Sequence, residues 1–215
     1  NLYRNILWFV KNKYVLYEAI EGLQSQPKAY KACTEKYAAK FNYLAFIDVD
    51  EFIVVPDKKV SVPTLLKGYD EYGALAMSVM EFGRNGYIAR PDDGVLRSYN
   101  TCRTVQDVKI IANTKYFTTG KFVNPQQLLW ENDKYTVNEA FERIDLNYTT
   151  KPLFQKIYIN HYITKSIEDF GIKHHRGNPW SPDGKGKPWP FLLETDAKCN
   201  KLCSLLQMPE PNSRH

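Results

Sequence analysis

Five consecutive apolar or aromatic residues, Tyr43-Leu44-Ala45-Phe46-Ile47, run directly into three carboxylates within four positions, Asp48-Val49-Asp50-Glu51. An unbroken apolar run of this length predicts a strand buried on both faces, as in a parallel sheet. Upstream, Tyr14–Ile20 reads as a strand, and Ser25–Lys40 has helical spacing with Ala29, Cys33, Tyr37 and Ala38 near one face. Strand, helix and buried strand in that order predict a βαβ unit and an α/β class. The acids then fall at the carboxyl end of a strand, where ligands of open α/β sheets bind. Carboxylates this close repel each other, and a cation relieves the repulsion. Hard oxygen donors select Mg²⁺ or Mn²⁺ over zinc. A DxD tripeptide is weak evidence by itself, because acids also end strands and cap helices. The apolar run before it and Phe52-Ile53 after it raise its weight considerably.

The rest of the chain is read by the same local rules. Residues 2–10 predict the end of a helix. Ser61 followed by Pro63 predicts a helix start, with the helix ending near Gly68. Ala74–Phe82 predicts a strand, residues 83–94 a loop, and Val108–Ile111 a short strand. Periodicity is poor from Tyr116 to Tyr148. Ile157–Tyr162 predicts a strand, and Ser166 with Asp169 three residues on predicts a capped helix over about 167–175. Asn178–Pro190, rich in Gly, Pro and Lys, predicts a loop or lid.

A second chemical cluster follows that last strand. His161 falls at a strand end, where a neutral imidazole can complete a metal site begun by carboxylates. Lys165 precedes the capped helix, and Lys173 and Arg176 lie near its other end, a set of cations suited to a diphosphate. The adjacent His174 and His175 read as surface or loop residues. The plain alternative is that His161 is a hydrogen-bonded core residue and the basic residues a solvated face.

Composition sets outer bounds. The 215 residues are enough for one good-sized domain, and 43% hydrophobic with 25% charged residues fits a globular chain. No run reaches the roughly 18 apolar residues of a membrane span. A net charge of +5 suits an anionic ligand and does not call for nucleic acid. Of the four cysteines, none forms CxxC, which argues against a zinc ribbon. Cys199 and Cys203 have the spacing of one helix face, and the even count permits disulfides.

The stretch from Gln26 to Phe52, with QPKAYKAC and YLAFIDVDEF, resembles glycosyltransferase family 92, and HYITKSIEDFGIKHHRG from His161 to Gly177 is similar to that family's closing signature. Phe82–Gly86, Val95 to Arg103, and Lys109 match weaker family positions in order. A related group of family-2-like glycosyltransferases shares both ends. The resemblance covers about residues 20–177. It implies a GT-A-type nucleotide-diphospho-sugar transferase fold and a divalent cation, usually Mn²⁺. It further implies inverting transfer of a sugar, often galactose from a UDP-sugar, to a glycan or polysaccharide acceptor. Carried onto this sequence, Asp48 approaches the donor ribose and metal, and Asp50 and His161 ligate the metal. Lys165, Lys173 and Arg176 contact the diphosphate. On this reading the first GT-A strands are missing before Asn1, so residues 1–177 form an N-terminally truncated transferase domain and 178–215 a loop and helix extension. The family often carries a His in a Gly-x-His-like stretch, and Gly120–Pro125 has none.

Inversion needs a carboxylate base, and Glu81, Glu168 and Asp169, with Glu131 and Asp133 behind them, are the candidates. Eukaryotic members work in the Golgi lumen behind a membrane anchor, here outside the sequence, and bacterial relatives are cytoplasmic. Asn147-Tyr148-Thr149 is a glycosylation sequon consistent with the lumen. Two competing functions are a phosphohydrolase and a non-catalytic or decayed carbohydrate-binding domain. The first expects Gly-Thr rather than Glu51-Phe52 after the DxD, and the second is opposed by the intact acids and His161.

Overall fold

The computed structural model describes residues 2–124, 127–145 and 147–203. Helices α1 (Leu2–Lys11) and α2 (Ser25–Tyr37) form where spacing predicts them. The strand expected at 14–20 does not form. That segment is coil with Tyr14, Leu16 and Tyr17 exposed, since no neighbouring strand among the described residues offers it a ladder. β1 (Tyr43–Ala45) is only three residues long, and β2 (Glu51–Val54) follows the acids. α3 (Val62–Leu66) is capped by the Ser61 hydroxyl, which accepts from the Thr64 amide, with Pro63 in the first turn. β3 (Ala74–Phe82) forms over the residues expected, and the loop after it leads into a single turn, α4 (Val95–Ser98).

β4 (Thr101–Asn113) is far longer than the four residues expected. Its first half is mostly polar, with Arg103, Val105 and Asp107 along the wall of a cleft, and the apolar signal begins only at Val108. The stretch without periodicity contains β5 (Phe117–Asn124), β6 (Gln127–Trp130), β7 (Thr136–Val137) and β8 (Arg143–Ile144). β9 (Tyr158–His161) and α5 (Ile167–Arg176) match the reading. The Ser166 hydroxyl caps α5 by accepting from the Asp169 amide at 3.1 Å. The predicted loop ends at Pro188, because Pro190 takes the first turn of α6 (Trp189–Lys198), where its missing N–H costs nothing. β10 (Lys201–Leu202) follows. Cys199 and Cys203 do not share a helix. Cys199 caps α6, and Cys203 is disulfide-bonded to Cys102 with Cα atoms 5.9 Å apart.

The sheet is mixed, not parallel, and the expected βαβ unit is absent. Among the described residues β1 pairs antiparallel with β4 alone, as an edge strand, and so is half-buried, with Ile47 beyond it exposed. β3 is the strand buried on both faces. β4 runs antiparallel along one side of it, and on the other side β7 pairs parallel with its first half and β9 with its second. β9 carries β2 antiparallel on its outer edge, β8 pairs with β7, and β10 with β4. β5 and β6 form a separate two-stranded sheet. Leu75, Met77 and Val79 pack with Val137, Ile157 and Ile159 on one face of β3, while Ala74 and Ala76 pack with Val108, Ile110 and Ala112 on the other. That two-sided burial is why Ala74–Phe82 reads as a nearly continuous apolar run. Among the described residues, no helix is long and apolar enough to cross a membrane.

Candidate active site

Strand register assembles the site. Glu51, the first residue of β2, lies directly opposite His161, the last of β9. His161 is level with Glu81 on β3, and Glu81 is level with Arg103 on β4. Glu51, His161, Glu81 and Arg103 therefore form one row across four strands. The row is part of the wall of a cleft of about 950 Å³, which Asp48, Asp50, Lys109, Lys165, Lys173 and Arg176 also line.

The three acids have separate partners. Asp50 Oδ2 accepts a hydrogen bond from Lys173 Nζ at 2.8 Å, and its Oδ1 lies 3.8 Å from His161 Nε2. Burial opposes its charge, but Lys173, His161 and Lys165 outweigh burial and hold the carboxyl below the ordinary carboxylate range. Glu51 points inward with its side chain fully shielded. Its Oε1 sits 3.1 Å from Lys109 Nζ and 3.7 Å from His161 Nδ1, and its Oε2 accepts from the Asp48 amide at 2.9 Å. Burial raises the Glu51 pKa despite Lys109. Its evident work is to brace the turn that presents Asp48 and Asp50. Asp48 is the least buried of the three, with Oδ1 accepting from Gln26 Nε2 at 2.9 Å and Oδ2 3.4 Å from Lys109 Nζ.

Burial, with Lys173 and Lys109 nearby, pushes the His161 pKa down to about 4 against the pull of Asp50. The imidazole is therefore neutral near pH 7, with a lone pair free for a Lewis acid. Among the described residues, no group of three His, Cys, Asp or Glu side chains is arranged to hold a metal ion. Asp50 and His161 come together, and Asp48 does not join them.

The predicted diphosphate contacts all reach the cleft. Lys165, at the turn from β9 into α5, has a φ of 54°, one of seven side-chain-bearing residues with positive φ among the described residues. The candidate bases divide. Glu131 and Asp133 are exposed on a turn outside the cleft lining. Glu168 Oε2 accepts from the Arg90 amide at 2.9 Å and also lies outside it. Asp169 lines the cleft, tied to Arg90 Nε at 2.9 Å and to the Ser166 hydroxyl at 3.0 Å. Glu81 lines it too, with Oε2 accepting from Arg103 Nε at 2.8 Å. His174 and His175 sit on α5, their Nδ1 atoms bonded to the Lys187 and Gly171 carbonyls.

Among the cleft residues with no role in the sequence reading are Gln26, Arg103, Lys109 and Lys187. Lys109 carried a usable signal. It is the one charge in Val108-Lys109-Ile110-Ile111, and a charge in a buried strand requires a buried counter-charge. Burial works against its protonated form, but Glu51 and Asp48 prevail and raise its pKa. The other three carried no such mark.

A search of curated proteins finds no match to this chain. The family model described as glycosyltransferase family 92 matches residues 15–181, a span that runs from before α2 through α5 and contains both walls of the acid and His161 site. The chain belongs to glycosyltransferase family 92 and is a glycosyltransferase.

Proposed function

We propose that this glycosyltransferase is a metal-dependent, inverting hexosyltransferase with a GT-A-type fold. On this reading it moves galactose from a UDP-sugar to a glycan or polysaccharide acceptor. The observation that carries the proposal is the register-locked approach of Asp50 Oδ1 and His161 Nε2 to 3.8 Å in a cleft lined by cations. A carboxylate on the turn that enters β2 and a neutral imidazole at the end of the neighbouring β9 fit a hard divalent ion that completes its shell with phosphate oxygens. Asp50 and His161 would hold Mn²⁺ or Mg²⁺, with Asp48 toward the ribose. The ion's contribution would be to neutralise negative charge on the departing diphosphate.

The chain's own residues perform the other tasks. Lys165, Lys173 and Arg176 bind the diphosphate and stabilise charge as the glycosidic bond breaks, an electrostatic role strengthened by the partly enclosed cleft. Glu51 and Lys109 keep the acidic turn in place. Of the carboxylates named above, Glu81 and Asp169 line the cleft, and each is held by an arginine, Arg103 and Arg90. We also propose a Golgi-type lumenal address, supported by the Cys102–Cys203 disulfide and the Asn147 sequon.

The test is UDP release from a panel of UDP-sugars with purified protein and Mn²⁺. Asp50→Ala should abolish release, and full activity in that variant would refute the metal role. Release that persists unchanged in EDTA would instead assign the charge stabilisation to the lysines.

A further inference from the structure

We infer that Lys187, from the segment between α5 and α6, forms a clamp with Lys173 for the diphosphate of a nucleoside-diphosphate donor. The inference rests on the donor reading above and adds to it a binding residue from outside the two sequence clusters. Lys187 is half-buried and lines the cleft. Among the described residues, no carboxylate lies within ion-pair distance of it. Burial and then the neighbouring Lys173 push its pKa down, while Glu81, Asp107 and Asp50 pull the other way without pairing with it. Lys173 already pairs with Asp50 Oδ2 at 2.8 Å, so of the two ammonium groups in this partly enclosed cleft Lys187 gains most from an anion placed between them. A diphosphate supplies charged oxygens to both at once.

Lys187 is held in position for this. Its Nζ lies 4.0 Å from the centroid of the Phe191 ring, a cation–π contact that restrains the chain. Its carbonyl is bonded to His174 Nδ1 at 2.8 Å. The segment is seated rather than free. A Cβ on Gly186 would meet the His174 carbonyl oxygen at 2.2 Å, and one on Gly177 would meet the Gly184 oxygen at 2.2 Å, so both glycines are there for close backbone approach. The Gln26 amide also donates to the Pro179 carbonyl at 3.3 Å, linking the segment to the helix whose side chain holds Asp48.

The experiment is calorimetric titration of wild type, Lys187→Met and Lys187→Arg with UDP, inorganic pyrophosphate and uridine, with Mn²⁺ present throughout. Lys187→Met should weaken UDP and pyrophosphate at least tenfold and leave uridine unchanged, and Lys187→Arg should restore most of the loss. A thermal melt of each variant checks that it is folded. UDP and pyrophosphate affinities in folded Lys187→Met within twofold of wild type would overturn the clamp. If wild type binds pyrophosphate in a Lys187-dependent way but binds UDP no more tightly, the clamp stands and the nucleotide-sugar reading fails.

Discussion

Glu139 offers the most decisive test of how the site is built, although it lies outside it. The residue is 4% exposed in the turn after β7. Its carboxylate accepts three consecutive backbone amides: Gln155 at 2.8 Å, Lys156 at 2.8 Å and Ile157 at 3.0 Å. Its own carbonyl accepts from the Tyr69 hydroxyl and from Lys156 Nζ, both at 2.9 Å. Those three amides immediately precede β9, the strand that ends in His161. Glu139→Ala removes the acceptor for all of them. Ile157 is buried, so its amide would pay the full desolvation cost, whereas Gln155 and Lys156 are exposed and can turn partly to water. At roughly 1.5–3 kcal/mol per bond to a charged acceptor, discounted for those two, the loss is about 3–5 kcal/mol. That is a large part of the roughly 5–15 kcal/mol that holds a domain together. Urea unfolding followed by tryptophan fluorescence measures it, with Glu139→Gln as the shape-preserving control expected to lose about half as much. A change below about 1 kcal/mol for Glu139→Ala would refute the claim that this carboxylate organises the entry to β9.

Two other perturbations follow from single contacts. Cys203→Ser opens a disulfide spanning 101 residues and should cost about 4–5 kcal/mol, and wild type in reductant should melt at the same temperature as the variant. Separate melting points for the two would show that the substitution acts through something other than the bond. Lys109→Met strands the shielded Glu51 carboxylate and should cost about 3–5 kcal/mol in chemical denaturation. Adding Glu51→Gln should recover part of that loss, and purely additive effects would rule out the pairing.

What could be read from the sequence divides by the range of the interaction. α3, α5 and β3 were legible because their signals are local: a capping Ser with Pro or Asp at fixed offsets, and an apolar run long enough to cover both faces of a strand. Residues 14–20 and 43–47 have equally good local strand patterns, but what they become depends on which strand lies alongside. Among the described residues the only neighbour of β1 is β4, antiparallel and distant in sequence, so the short edge strand and its exposed Ile47 could not be deduced. β4 was cut short for the opposite reason. A strand half that faces a polar cleft has no reason to look apolar. The acids and His161 were found because charges at the ends of apolar strands are conspicuous, and the Glu51–His161 register then brings them together. Lys187 and Glu139 are ordinary polar residues in irregular segments, and only the fold gives them a function.

The acidic triplet shows how far the electrostatic argument reaches. Three carboxylates in four residues require counter-charge, but that requirement does not specify its kind. Here much of it comes from lysines: Lys173 on Asp50, 123 residues away, and Lys109 between Glu51 and Asp48. The sharing is uneven, and the unevenness is informative. Glu51 has one oxygen hydrogen-bonded to the Asp48 amide and the other, buried and without a hydrogen bond, ion-paired with Lys109, and Asp48 has its oxygens on Gln26 and Lys109. Asp50 alone keeps an oxygen, Oδ1, that faces a neutral imidazole and not an ammonium. A cation entering the cleft would thus meet one acid whose second oxygen is unclaimed by a lysine, in a turn whose Asp50 carbonyl accepts from the Tyr162 amide at 2.9 Å and so stays beside His161. Repulsion among the acids makes a cation necessary. On the metal-dependent reading proposed above, the order in which the protein's own lysines satisfy them makes Asp50 the acid at which an added ion would act.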